Sequence, residues 1–162
     1  MAPAALLQEI FTPARIHCSL EAEDKSELFE ELVDFLSVQY DLDNREEILE
    51  AIRRREEKMS TGIKKGIAIP HAKTPFTRGV IGVVGISKAG IDYESLDGQP
   101  AHLFFLLVSS EEDAAAHLAV LKKIALLIEN PSFFEEMLSA GDGEMANDVI
   151  RRYERSVDSQ GA

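Results

Sequence analysis

Cysteine occurs once in the 162 residues, at Cys18. One thiol excludes an intrachain disulfide and any thiolate zinc cluster within one chain, and the scarcity fits a reducing compartment. Long apolar runs are missing too. The longest, such as Leu103 to Val108 and Ile124 to Ile128, fall far short of the roughly 20 residues that span a bilayer. The first residues, MAPAALLQEIF, lack the basic region and the apolar length of a secretory signal. These readings place the chain in the cytoplasm, with no direct insertion into a membrane. Positive charge is in deficit: 17 Lys and Arg against 29 Asp and Glu leave a net charge of −12. Such a chain repels phosphate backbones, which argues against nucleic acid as a partner. The same acidity keeps a protein soluble and steers basic protein partners. There is no P-loop, GxGxxG, GxSxG or HExxH, and no internal repeat or low-complexity segment.

What is present suits one domain of ordinary size with a packed core, since the hydrophobic share is 45%. Polar ends, roughly residues 1–5 and 155–162, are expected to fray. Weak alternation over Ala14 to Leu20 predicts a first strand. Asp24 with Glu27 three residues on forms a capping box, and Leu28, Phe29, Leu32, Val33, Phe35 and Leu36 recur at helical spacing. Asn44 opens a second helix with Ile48, Leu49 and Ile52 as its apolar stripe. STG at Ser60 to Gly62 breaks the pattern. GIAIPH, Gly66 to His71, predicts a short buried strand ending at its proline, because Pro70 cannot donate to a ladder. Val80 to Ile86 reads as another strand. The near-continuous apolar run Ala101 to Val108 reads as a central strand covered on both faces. A third helix follows Ser109 and Ser110, with Glu111, Glu112 and Asp113 in its first turn. Pro131 starts a fourth, and a last helix follows Gly141 to Gly143. The order β-α-α-β-β-β-α-α-α predicts an α/β fold with a mixed sheet and helices on both faces.

Four histidines are candidates for chemistry. His71 follows Pro70 where a buried strand leaves the sheet, a stiff yet accessible place that suits a nucleophilic imidazole. His117 shares a helical face with Leu121, Ile124 and Ile128, as a satisfied core histidine or one at the rim of a site. His102 reads as structural, and His17 and Cys18 as first-strand residues without identifiable partners. In the run Arg53, Arg54, Arg55, only Arg55 extends the stripe of Ile48 and Ile52, while Arg53 and Arg54 point elsewhere. Arg55 must therefore snorkel out or meet an anionic partner, which a phosphate or a structural carboxylate would supply. Ser60 and Thr61 could contact a phosphate or an imidazole nitrogen, or merely form a turn with Gly62.

Taken together, R-x-x-x-x-STG at Arg55 to Gly62, GIAIPHAK at Gly66 to Lys73, SLDGQPAHLFFLL at Ser95 to Leu107 and HLAVL at His117 to Leu121 resemble a known family. It is the enzyme IIA domain of the fructose, mannitol and nitrogen-related branch of the bacterial phosphotransferase system. The resemblance covers roughly residues 6 to 152. It implies a mixed, roughly five-stranded sheet flanked by helices on both faces, within one domain. It further implies that His71, through Nε2, accepts a phosphoryl group from a histidine-containing phosphocarrier protein. Arg55 and His117 would then contact the phosphoryl group, supported by Ser60 and Thr61, with no cofactor and no metal. Downstream lies either an enzyme IIB cysteine, for sugar uptake, or a regulatory target. The absence of a fused IIB or membrane segment favours the nitrogen-regulatory type, with a sugar-specific enzyme IIA as the alternative. A metal-dependent hydrolase using His71, His102 and His117 has no supporting ligand spacing.

Overall fold

A computed structural model describes residues 6–160. Helix α1 (Leu7–Ile10) and a 3₁₀ turn (Pro13–Arg15) lead into strand β1 (Ile16–His17), followed by helices α2 (Lys25–Tyr40) and α3 (Arg45–Lys58). Strands β2 (Gly62–Lys64), β3 (Ile67–Ala68), β4 (His71–Lys73), β5 (Val80–Ile91) and β6 (Ala101–Ser109) follow. A 3₁₀ turn (Glu111–Asp113) and helices α4 (Ala114–Ile128), α5 (Pro131–Ser139) and α6 (Gly143–Gln160) complete the chain. Where the expected caps exist, they work as sequence logic requires. Asp24 Oδ1 accepts from the Glu27 amide at 2.9 Å, and Asn130 Oδ1 accepts from the Ser132 amide at 3.0 Å ahead of Pro131. Glu27 completes its box one residue early, accepting from the Glu23 amide at 2.9 Å. Asn44 makes no such side-chain bond.

The sheet has six strands, not five, in the order β1-β5-β6-β3-β2, with β4 also paired to β6. β5 runs antiparallel to β6, while β1 is parallel to β5, and β3 and β4 are parallel to β6. Alternation along β6 divides the core in two. Leu103, Phe105 and Leu107 pack with α1, α4, α5 and α6. Phe104, Leu106 and Val108 pack with α2 and α3. Both faces are covered, which is why β6 reads as an unbroken apolar run.

Three expectations are corrected. The strand over GIAIPH does not end at its proline: β3 pairs Leu103 and Phe104, and after Ile69 and Pro70 the chain rejoins the same edge of β6 as β4, with His71 opposite Leu107. Pro70 lacks an N–H, but its carbonyl accepts from the Leu107 amide at 3.1 Å, so the ladder is interrupted rather than lost. The first strand is only two residues, because Pro13 to Arg15 turn instead. Residues 155–160, expected to fray, continue α6; the expectation for residues 1–5 lies outside the described residues. The end of α6 is tied down where its buried Glu154 accepts from the Leu7 amide at 2.6 Å, the Gln8 amide at 3.1 Å and Lys123 Nζ at 3.0 Å.

Among the described residues, no helix is long and apolar enough to cross a membrane.

Candidate active site

The interruption at Pro70 positions the central histidine. The Ile69 amide donates to the Thr61 carbonyl at 3.0 Å, which ties this bend to the segment between α3 and β2. The Ile69 carbonyl has no backbone donor among the described residues and instead meets Nδ1 of His71 at 2.7 Å. A carbonyl only accepts, so Nδ1 carries the proton and Nε2 carries the lone pair. The ring is half-buried. Burial lowers its pKa from the usual 6.5; the Ile69 carbonyl and Glu56 oppose that, while Arg55 and Lys73 reinforce it. His71 is therefore a neutral imidazole of fixed tautomer near pH 7.

It opens into a cleft of about 400 Å³ lined by Ala51, Arg54, Arg55, Lys58, His71, Ala72, Lys73 and Glu111. Four of those side chains are cationic and one is acidic, an inversion of the chain's overall charge. Such a cleft suits an anion of the size and charge of a phosphoryl group. Arg55 lies at the end of α3, its Nη1 donating to the Met59 carbonyl at 3.0 Å. Two readings of the arginine run are corrected here. Arg54 lines the cleft beside Arg55 instead of pointing elsewhere. The buried stripe is continued not by Arg55 but by Glu56, spaced four and eight residues from Ile52 and Ile48.

Glu56 is a residue the sequence reading missed. It is only 7% exposed. Its carboxylate accepts from the Thr61 amide at 2.8 Å and the Thr61 hydroxyl at 2.7 Å, and pairs with Lys25 Nζ at 2.9 Å. Desolvation raises its pKa, but the bonds from Thr61 and Lys25 outweigh that and hold it below the usual carboxylate value. Thr61 Oγ1 also meets the buried Tyr93 hydroxyl at 2.8 Å. Thr61 thus faces inward and supports the bend at Ile69 through its backbone. Ser60 Oγ accepts from the Gly62 amide at 3.1 Å, closing the turn.

His117 reaches the site from the opposite face, on α4. Its ring centroid is 5.5 Å from that of His71, edge to face at 62°. It is 2% exposed. Nδ1 lies 2.5 Å from Ser109 Oγ, while the buried Nε2 has no partner among the described residues. Burial above all, then His71 and Lys73, pushes its pKa down from 6.5 to about 4. The unfolded chain binds this proton below pH 6.5 and the folded one only near 4, so the stabilisation is complete above 6.5 and is lost as pH falls towards 4. We expect His117→Gln to remove about 3 kcal/mol of the acid sensitivity over that window. Urea unfolding of both proteins at pH 7.5 and 4.5 checks it; parallel pH dependences would contradict it.

The other histidines lie outside the site. His102 Nδ1 donates to the Ser87 carbonyl at 2.9 Å and its ring packs on Phe134, as a structural residue should. His17 does have partners: Nε2 is 3.6 Å from Glu31, Nδ1 accepts from the Ser19 amide at 3.2 Å, and the ring packs on Phe35. Among the described residues, no group of three or more His, Cys, Asp or Glu is placed to hold a metal ion.

Lys58 and Lys73 were missed as well. A strand's period of two sets Lys73 on the side of His71, a signal that needs β4 to be known first.

Residues 9–153 match the family model described as phosphoenolpyruvate-dependent sugar phosphotransferase system, EIIA 2. The PTS system fructose-specific EIIABC component of Bacillus subtilis is 36% identical over 149 residues, which is 92% of this chain and 24% of that protein. The chain therefore spans about a quarter of that relative's length. The nitrogen regulatory protein of Bradyrhizobium diazoefficiens is 28% identical over 144 residues, 89% of this chain and 94% of that protein. Among solved structures, the nitrogen regulatory protein IIA-Ntr from Neisseria meningitidis superimposes with a TM-score of 0.83 at 27% identity, covering 90% of this chain and 99% of that one.

Proposed function

The chain belongs to the EIIA 2 family of the phosphoenolpyruvate-dependent sugar phosphotransferase system, and from that premise we propose that Nε2 of His71 accepts a phosphoryl group from a phosphohistidine on a phosphocarrier protein and later gives it up. The observation that carries this reading is the bond from Nδ1 to the Ile69 carbonyl at 2.7 Å. It leaves the nucleophilic lone pair on Nε2.

The transfer balances without a base. The donor's P–N bond breaks as the bond from phosphorus to Nε2 forms, and the electron pair stays on the donor nitrogen. His71 keeps its Nδ1 proton, and the charge it gains strengthens its bond to Ile69. Such a reaction asks for in-line placement and charge neutralisation more than for proton transfer. Arg55 supplies a planar cation in the cleft, with Lys58, Lys73 and Arg54 around it. His117 supplies a nearby imidazole from the other face. Ser60 and Thr61 act from behind, holding the bend rather than the phosphoryl oxygens.

For the destination of the phosphoryl group we adopt the regulatory type, on the close superposition with IIA-Ntr. In that role the phosphorylation state of His71 governs binding to a target protein in the cytoplasm. The sugar-specific alternative, transfer to an enzyme IIB cysteine, is favoured by one observation, the 36% identity to the fructose-specific component.

The test is to incubate the protein with phosphorylated phosphocarrier protein and locate the product by ³¹P NMR. The expected result is one acid-labile phosphoryl group on Nε2 of His71. Arg55→Ala should take it up some tenfold to a hundredfold more slowly, consistent with losing one preorganised cation, with its unfolding midpoint nearly unchanged. Phosphorylation at Nδ1 or at another residue would refute the reading.

A further inference from the structure

Ser109 is the last residue of β6 and is fully buried. Its hydroxyl has one hydrogen-bond partner among the described residues, Nδ1 of His117 at 2.5 Å. Strand alternation brings the two together. Ser109 shares a face with Leu107 and Phe105, and α4 packs on that face. The other ring nitrogen, Nε2, is buried without a partner, and the ring lies 5.5 Å from that of His71.

Two proton arrangements satisfy the contact. In one, Nδ1–H donates to the hydroxyl oxygen. The hydroxyl proton then has no acceptor among the described residues, and Nε2 presents a lone pair that repels any anion held by His71. In the other, the hydroxyl donates to Nδ1 and the ring proton resides on Nε2. Each arrangement leaves one donor and one acceptor unpaired, but only in the second is the free donor the Nε2–H of the ring that packs against His71. An unpaired buried donor beside the proposed phosphoryl acceptor is costly in the free protein, and a phosphoryl oxygen would satisfy it.

We propose that Ser109 is a positioning residue: its hydroxyl holds His117 in the Nε2–H tautomer, so that this imidazole donates a hydrogen bond to a phosphoryl oxygen on His71. This rests on the reading of His71 as the phosphoryl acceptor. Ser109 itself never touches the phosphoryl group. Without its hydroxyl, a neutral His117 ring divides between two tautomers, one of which repels the anion. The depressed pKa of His117 agrees with this role, since the ring stays neutral at pH 7.

Long-range ¹H–¹⁵N spectra of the histidine rings test it, together with uptake rates from phosphorylated phosphocarrier protein. In the wild-type protein His117 should show a protonated Nε2 and an unprotonated, hydrogen-bonded Nδ1. Ser109→Ala should show mixed tautomers and take up phosphoryl groups roughly tenfold more slowly, as expected for one lost orienting hydrogen bond. Ser109→Thr, which keeps the hydroxyl, should restore both the spectrum and the rate. A wild-type Nδ1–H tautomer overturns the proposal, as does a folded Ser109→Ala variant with wild-type rate and spectrum. Should Ser109→Ala not fold, the wild-type spectrum decides alone. Wild-type protein that takes up no phosphoryl group refutes instead the reading of His71, a failure separable from the first because the ring spectrum is measured without any donor.

Discussion

His71→Ala should accept no measurable phosphoryl group, a loss greater than about 10³-fold, because a covalent carrier has no substitute for its nucleophile. The same substitution should leave the protein folded. The ring is only half-buried and contributes one local hydrogen bond, to Ile69, so the stability cost should be near 1 kcal/mol. Intact-protein mass spectrometry under alkaline conditions, where phosphohistidine survives, reads the first quantity, and urea unfolding the second. A variant that still gains the mass of one phosphoryl group would show that the acceptor lies elsewhere. A variant that unfolds would make the ring structural.

The second large effect concerns Glu56, which touches no phosphoryl group in this account. Removing a buried carboxylate leaves Lys25 and the Thr61 amide and hydroxyl without their shared acceptor. Breaking a buried, hydrogen-bonded pair from one side costs about 3–5 kcal/mol, and we expect Glu56→Ala to lose that much in urea unfolding. Phosphoryl uptake should fall as well, even where the variant is still folded. The path is short: Glu56 holds Thr61, the Thr61 carbonyl holds the Ile69 amide, and the Ile69 carbonyl holds Nδ1 of His71. A loss below about 1 kcal/mol would mean that water replaces the carboxylate without difficulty.

These residues mark where the sequence is legible and where it is not. Helix α2 is readable because Asp24 caps it and its apolar positions recur at helical spacing. Strand β6 is readable because a strand covered on both faces has no polar side to disguise it. By contrast, β2 and β4 have three residues each, too few for any period to emerge, and β4 exists only because β6 supplies partners beyond Pro70. Glu56 hides within the run RRREEK, whose charge reads as a solvated helix end. Its spacing from Ile48 and Ile52 was the available signal, and polarity overrode it. The placement of His71 and His117 in one site comes from resemblance in the sequence, whereas their 5.5 Å separation needs β4 set beside β6, with His71 opposite Leu107 on the face that α4 covers. The bond from Ser109 to His117 spans eight residues across a strand end, a 3₁₀ turn and the start of a helix, and no local pattern encodes it.

The paired attachment of β3 and β4 to one edge of β6 bears on how a charged and an uncharged form of this molecule would differ. The backbone on both sides of Pro70 is anchored, so adding a group at His71 has little slack to pull on. A phosphoryl group brings roughly −1.5 to −2 charges at neutral pH into a cleft with four cations and one acid. The two forms would then be nearly superimposable in shape and would differ chiefly in the potential they show a visitor, the cleft's excess of three positive charges falling to roughly one. A protein that distinguishes them would have to do so as an electrometer does, by sensing field, and its preference should fade as added salt shortens the reach of that field.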